Sequence, residues 1–408
     1  MTLRKISEYT CLAIFAMSAF SYTLLAQSSP LPTGTVSVAS GTPSSGCPTS
    51  DGWLSGVTCR YATVTCPESN GTTPLGITFG YETPASPKGT VVIFSHSGGT
   101  TPEAFPGNEG TIAGGYYNAN YQVVQTKWDS DWEDESGTGL GGSIGLAACR
   151  PATFLAWVIS NLYTPIYNSN PTAGMCVHGT SAGASAAAYS LAWYGLYANI
   201  DKVTMVSGPP MGDIEEGCIE PVDSNVQVCP SGQVGCNPYN SPSSWSQAPK
   251  YTDALSSMRT WTGDSTAYDR GTCRSTNPSG TSATANAAWK AMSISDGSIG
   301  TFSYPKTNIT SWLCANVYSS DGLDDGIMND SSPEAQLFFQ NFTSSSQTHG
   351  LLINAVTNCD GDEGAASTIA VPPSNYVDSH GNPLNGLTAV QSEMTSAGAG
   401  ACTYHSTP

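Results

Sequence analysis

Basic side chains are scarce in this sequence: 13 lysines and arginines stand against 31 aspartates and glutamates in 408 residues, a net charge of −18. A chain so acidic is repelled by phosphate backbones and by anionic lipid, and no basic stripe offsets that repulsion, so nucleic acid is excluded as a partner. Histidine is scarcer still, at five residues, which leaves few groups able to move a proton near neutral pH. No pair of cysteines has CxxC spacing, and with it the usual zinc frameworks are absent. No apolar run is long and unbroken enough for a stable membrane anchor, and no internal repeat marks a solenoid or propeller.

The chain opens MTLRKISEYTCLAIFAMSAFSYTLLAQ, with Arg4 and Lys5 ahead of an apolar run that ends near the small residue Ala26. That layout reads as a secretory signal peptide over 1–26. Cysteine usage agrees with export: apart from Cys11 inside the apolar run, twelve remain, an even number that predicts up to six disulfides in an extracellular or periplasmic protein. Asn70, Asn308, Asn329 and Asn341 open glycosylation sequons in a host that uses them.

Residues 27–75 are rich in Ser, Thr, Pro and Gly, at least to about residue 60, and read as a loosely ordered leader. Strand and helix patterns then alternate. Strands are expected at 76–84, 88–99, 121–128, 174–179 and 202–208, with helices at 146–163 and 181–197. After Gly208 the rhythm stops for about a hundred residues and resumes with a strand at 311–320, a helix at 332–342 and a last strand at 350–358. Such alternation implies a mainly parallel sheet with helices on both faces. The interval 209–310 reads as a cap insertion, with Cys218, Cys229, Cys236 and Cys273 paired among themselves, so that 76–208 and 311–408 form the main domain.

The segment TAGMCVHGTSAGAS (172–185) contains G-x-S-x-G at Gly179, Ser181 and Gly183. With 43 glycines in 408 residues a bare match is expected about once by chance, and a second one does occur, around Ser143 between Gly141 and Gly145. Context separates them. Ser181 stands where a predicted strand turns into a predicted helix, whereas Ser143 follows the loop-like stretch DWEDESGTGLGG. A strand-to-helix turn at Ser181 would bring chain segments close together, leaving room only for glycine at 179 and 183, and would present the hydroxyl to a base. The bland reading is a helix N-cap serine.

With its GTSAG elbow, the HSGG stretch after an earlier strand, and the order serine, acid, histidine, the chain resembles the α/β-hydrolase superfamily of serine esterases and lipases over 76–208 and 311–358. Polyester depolymerases and feruloyl-type esterases are the secreted members nearest in character. The resemblance implies an α/β-hydrolase fold carrying a disulfide-rich cap. It also implies hydrolysis of a carboxylic ester through an acyl-enzyme, without cofactor or metal. Ser181 would be the nucleophile. Ser97, Gly98 and Gly99, with the N–H of Ala182, would supply oxyanion donors, His96 having a structural role.

The acid should follow the next-to-last strand, where SSDGLDDGIMND offers Asp325, with Asp321 and Asp324 as alternates. The spacing there excludes an EF-hand, although CDGDEG (359–364) leaves an irregular calcium site as a rival reading. For the base, His349 precedes the last strand and so stands at the wrong end of the sheet. His405 is preferred, brought to the site by an expected Cys359–Cys402 disulfide, with His380 as the alternate. Trp128, Trp132, Trp245 and Trp261 read as exposed aromatics near the site, which points to a polymeric or aromatic ester as partner of a monomeric enzyme. A serine peptidase of the same fold, or an inert disulfide-stabilised binding protein, are the rival functions.

Overall fold

A computed structural model describes residues 30–40, 47–49, 52–67, 74–95, 99–102, 109–133, 144–180, 182–206, 208, 293–294, 306–315, 349–357, 386–396 and 401–406. Nine strands form one sheet: β1 (Thr35–Val38), β2 (Thr58–Thr65), β3 (Leu75–Glu82), β4 (Gly89–Phe94), β5 (Gln122–Trp128), β6 (Gly174–Thr180), β7 (Lys202–Val206), β8 (Asn308–Ala315) and β9 (His349–Thr357). Their order in space is β1-β2-β3-β5-β4-β6-β7-β8-β9. From β5 to β9 every neighbouring pair is parallel, while β1, β2 and β3 join antiparallel at one side.

The helices among the described residues are α1 (Glu109–Asn118), α2 (Ile144–Ala147), α3 (Cys149–Val158), α4 (Thr164–Ser169), α5 (Ala182–Ala192) and α6 (Gly386–Thr395). A π-helical turn, Ile159–Tyr163, joins α3 to α4. Strands buried on both faces favour near-continuous apolar runs, and β4 is buried throughout, with Val91 to Phe94 apolar. Its alternate residues feed two cores. Val92 and Phe94 pack with Met175, Val177 and the helices α3 and α5, while Val91 and Ile93 pack with Cys176 and, from α1 and α6, Ile112, Tyr116 and Met394. The mainly parallel sheet with helices on both faces, in this strand order, has the α/β-hydrolase fold expected from the sequence.

Several expectations change. Two stretches of the expected leader are strands of the sheet: β2 pairs with β3 over seven residues and β1 with β2 over four. Cys47–Cys59 and Cys66–Cys149 hold them there, the second tying the end of β2 to the start of α3. Covalent and ladder contacts thus order a segment that composition alone reads as loose. Strand β8 begins at Asn308, three residues before the expected start. Asn308 and Ile309 are fully buried, which removes Asn308 as an accessible glycosylation site. The helix α1, in the glycine- and tyrosine-rich EGTIAGGYYN, and the helix α6 carry no signal that the sequence reading used. The expected cap disulfides and the helix at 332–342 lie outside the described residues.

The chain's far end is fastened to the amino ends of the strands. Cys402 is bridged to Cys176 in β6, with Cα atoms 5.9 Å apart, so the expected Cys359–Cys402 pairing is corrected: one sulfur cannot serve both. Asp201, just before β7, accepts the N–H groups of Met175 and His405, each at 2.8 Å, and Lys306 stands 3.3 Å from the same carboxylate. Burial pushes the Asp201 carboxyl up, and Lys306 with these hydrogen bonds works against that. Lys202 at the start of β7 is wholly buried and donates to Glu393 of α6 and to Thr310 of β8, the latter at 2.8 Å. Burial pulls its ammonium down, and the Glu393 charge opposes the shift.

The Cys176–Cys402 bridge closes a sequence separation of 226, against 12 for Cys47–Cys59. A longer closed loop loses more chain entropy when it forms only on folding. Replacing both Cys176 and Cys402 by alanine should therefore lower unfolding free energy by about 2–5 kcal/mol, and the Cys47/Cys59 pair by less. Denaturant midpoints of the two double variants check the ranking, which fails if the short loop costs as much.

Candidate active site

Leaving β4, the chain crosses to β5 on one side and then returns to β6 on the other side of β4. The strand order therefore reverses between β4 and β6, and the crevice outside the carboxyl ends of those two strands is where open α/β sheets take their ligands. The chain leaves those two strand ends through the two motifs singled out above: HSGG begins two residues after Phe94, the last residue of β4, and GTSAG runs from the end of β6 to the start of α5.

At the end of β6, a Cβ on Gly179 would lie 2.3 Å from the carbonyl oxygen of Gly183. On Gly183 it would lie 2.1 Å from the carbonyl oxygen of Phe94. Real Cβ contacts do not come so close, and both obstacles are main chain, which no side-chain rotation relieves. The first contact exists because strand and helix fold back on each other within four residues. The second exists because the first turn of α5 is pressed onto the end of β4. Only glycine fits either position, as the elbow reading requires. Ser181 itself lies outside the described residues, between Thr180, which ends β6, and Ala182, which opens α5. The N–H of Ala182 belongs to a first helical turn, whose N–H groups have no intrahelical acceptor and point off the helix end.

Beyond β4, Ser95 is buried and its hydroxyl donates to the carbonyl of Thr101, closing the loop between them. Gly99 has φ +76, and a Cβ there would lie 2.5 Å from Trp128 Cδ1 and 3.5 Å from Trp132 Cδ1. Trp128 and Trp132 are therefore the floor beneath the glycine loop. They are buried, at 2% and 1% exposure, which corrects their reading as exposed substrate aromatics. His96, Ser97, Gly98, Ser143, Asp321, Asp324, Asp325, Cys359, His380, Trp245 and Trp261 lie outside the described residues.

His405 is the clearest correction. Its N–H donates to Asp201, and its Nδ1 stands 3.2 Å from the carbonyl of Asp201 and 3.1 Å from that of Lys306. Ala173 and Thr403 form a β-bridge beside it. These partners border the amino ends of β6, β7 and β8. Ser181 follows the carboxyl end of β6, about 20 Å away at roughly 3.3 Å per residue. Bridging Cys402 to Cys176 instead of Cys359 is what carries the tail to the opposite end of the sheet. His349 opens β9 opposite Ile309 of β8, again at the amino end, as its place in the sequence indicated.

Two ionisable residues near the crevice were not singled out in the sequence. His178 of β6 is fully buried, with Nδ1 2.7 Å from the Tyr116 hydroxyl of α1 and Nε2 3.2 Å from Thr180 Oγ1. Burial pulls its imidazole down to about 4 from 6.5. Glu133, five residues past the end of β5, is buried, and neither carboxylate oxygen has a hydrogen-bond partner among the described residues. Burial, aided by the Asp131 charge, pushes this carboxyl well above 4.5. The signal for His178 was its alternation with Cys176 and Thr180 on one strand face. For Glu133 the sequence offers none.

No family model matches the chain, and no curated protein matches its sequence. Among solved structures, acetyl xylan esterase 1 from Thermoanaerobacterium sp. JW/SL YS485 is similar at 10% identity and TM-score 0.41, over 79% of this chain and 81% of that one. The esterase Est22 is similar at 10% identity and TM-score 0.39, over 75% and 76%. Carboxyl esterase 2 (TmelEST2) from the mycorrhizal fungus Tuber melanosporum is similar at 10% and 0.38, over 87% and 92%. These are loose likenesses, and the fold rests on the strand order and crossovers described above.

A methyl group at Gly183 must displace main chain. Gly183→Ala should cost about 1–3 kcal/mol or more of stability, by overpacking, and abolish any activity of the elbow. Thermal melting alongside turnover of a small ester checks this, and a variant with wild-type values of both would refute the close contact.

The buried pair gives opposite pH dependences. As pH falls through 6.5 the unfolded chain takes up the His178 proton first, so stability is full above 6.5 and declines by about 3 kcal/mol down to pH 4. As pH rises through 4.5 the unfolded chain ionises the Glu133 carboxyl first, so stability declines above that value until the folded carboxyl ionises. Unfolding measured from pH 4 to 8 should lose its acid-side slope in His178→Gln and its alkaline-side slope in Glu133→Gln. Unchanged slopes would contradict the assignment.

Proposed function

We propose that this protein is an exported serine hydrolase of carboxylic esters. The observation that carries the reading is the glycine-closed turn from β6 into α5 at the sheet's reversal point, with Ser181 between its two halves. In the proposed reaction Ser181 Oγ attacks the ester carbonyl carbon and its proton passes to a histidine. The oxyanion is met by the N–H of Ala182 and by one from Ser97, Gly98 or Gly99. Collapse expels the alcohol, which takes the proton from the histidine, and water then repeats the sequence to release the acid.

The histidine is His380. Strand β9 ends at Thr357, so the chain that leaves it starts at the carboxyl end of the sheet, and His380 is the histidine on that segment before α6 begins at Gly386. His178 is buried beneath α1, and His405 and His349 stand at the amino end. Asp325, just beyond β8, is the proposed orienting acid, with Asp321 and Asp324 as neighbours in the same loop. Export accords with the signal-like start and with three disulfides among the described residues, and no helix among those residues is long and apolar enough to cross a membrane.

A fluorophosphonate should label Ser181, and Ser181→Ala should lose both labelling and hydrolysis of a short p-nitrophenyl ester, while Ser143→Ala keeps both. His380→Gln should lower kcat on the order of 10⁴-fold at unchanged thermal stability, whereas His405→Gln should leave kcat alone. Peptide cleavage with no ester cleavage would favour a peptidase. Full activity without Ser181 would refute the reading outright.

A further inference from the structure

We infer that Tyr116 and His178 form a buried brace that positions Ser181 through Thr180, an inference that rests on the hydrolase reading. Strand β6 loses support on one side just before the elbow. Its ladder with β4 ends at Phe94 and Gly179, whereas its ladder with β7 runs one residue further, pairing Thr180 with Val206. Thr180 is thus the last residue before Ser181 and is held by main-chain pairing on one side only. Residues two apart on a strand share a face, and the His178 ring uses that geometry: its Nε2 lies 3.2 Å from Thr180 Oγ1. Its Nδ1 lies 2.7 Å from the Tyr116 hydroxyl, the two rings meeting edge to face at 5.7 Å.

Both nitrogens of this ring are engaged, with a single ring proton between them. Either the phenol donates to Nδ1 while Nε2–H donates to Thr180, or Nδ1–H donates to the phenol oxygen while the threonine hydroxyl donates to Nε2. Each arrangement satisfies a ring that has no access to water, at 0% exposure. A leucine or phenylalanine would fill that volume without an unsatisfied-group risk, so packing alone gives no reason for an imidazole here. What the imidazole adds is direction: it ties the side chain that precedes the nucleophile to α1, an element anchored in the second core with Val91 and Ile93 of β4. The strand from which the glycine loop departs and the strand from which the nucleophile departs are thereby referred to one helix. Misplacement of a reacting atom by about 1 Å can cost on the order of 10²-fold in rate.

The test uses the full-length protein with Tyr116→Phe, His178→Leu and His178→Gln, a short p-nitrophenyl ester, a fluorophosphonate and thermal melting. Tyr116→Phe deletes one oxygen and keeps the ring, so it is the variant least able to unfold the site. A brace predicts kcat and the labelling rate of Ser181 reduced together, about tenfold in Tyr116→Phe and up to about 100-fold in His178→Leu. KM should stay within twofold, and His178→Gln should recover part of the loss by keeping a polar atom toward Thr180. Wild-type kcat and labelling in both Tyr116→Phe and His178→Leu, whatever their melting temperatures, would overturn the brace and leave the hydrolase reading standing. An unlabelled Ser181 in the wild-type protein would overturn both.

Discussion

The first turn of α5 meets the main chain at the end of β4, at Gly183 against the Phe94 carbonyl, and the elbow at Gly179 touches the same turn. Much else follows from that closeness. It brings the chain segment after β4 and the segment after β6 to one crevice, which is the only place in a sheet of this order where two adjacent parallel strands send their chains away in opposite directions. It also explains the neighbouring composition. Gly99, with its left-handed φ, lies so close to Trp128 that only glycine fits there. The run of small side chains in α5, buried along its length, keeps that helix close to the sheet.

The opposite end of the sheet is built on another principle. There the strand starts are held by buried charge and by sulfur: Asp201 gathers β6, the tail and Lys306, Lys202 meets Glu393, and Cys402 is bonded to Cys176. Such groups lose strength if the partners drift, so they suit an end that does not have to open to a ligand. At the carboxyl end the described contacts are those of glycine with main chain. The two ends are coupled through β6 itself, since the strand that carries Cys176 in its middle carries His178 and Thr180 on the same face toward the elbow.

Much of the fold was legible because β4, buried on both faces, carries a continuous apolar run, because strand and helix patterns alternate around it, and because glycine is dictated by backbone contact at 179 and 183. What was not legible depends on partners far away in sequence. The strands β1 and β2 look like a loose leader until Cys66 finds Cys149 and β2 finds β3. The helix α1 is built from Gly, Ala and Tyr without a clear apolar stripe, and its identity comes from the core it joins. Trp128 and Trp132 look like surface aromatics because their neighbours are acidic and glycine-rich, yet both are buried, with Gly99 against them.

The base illustrates why direction matters more than proximity. The expected bridge joined the tail to Cys359 after the last strand, whereas the tail is bridged to Cys176 of the central strand β6, and a bridge specifies a neighbour and not an end. A parallel strand has a carboxyl end that sends chain to the site and an amino end that receives it from the far side. Only residues that follow a strand before the next crossover are guaranteed to start at the site. His405 comes after α6, a helix packed against α1 and the strand face that bears Lys202, and by then the chain has already travelled back. By the same reasoning the chain between Thr357 and Gly386 leaves β9 at the carboxyl end of the sheet, as strand direction alone requires.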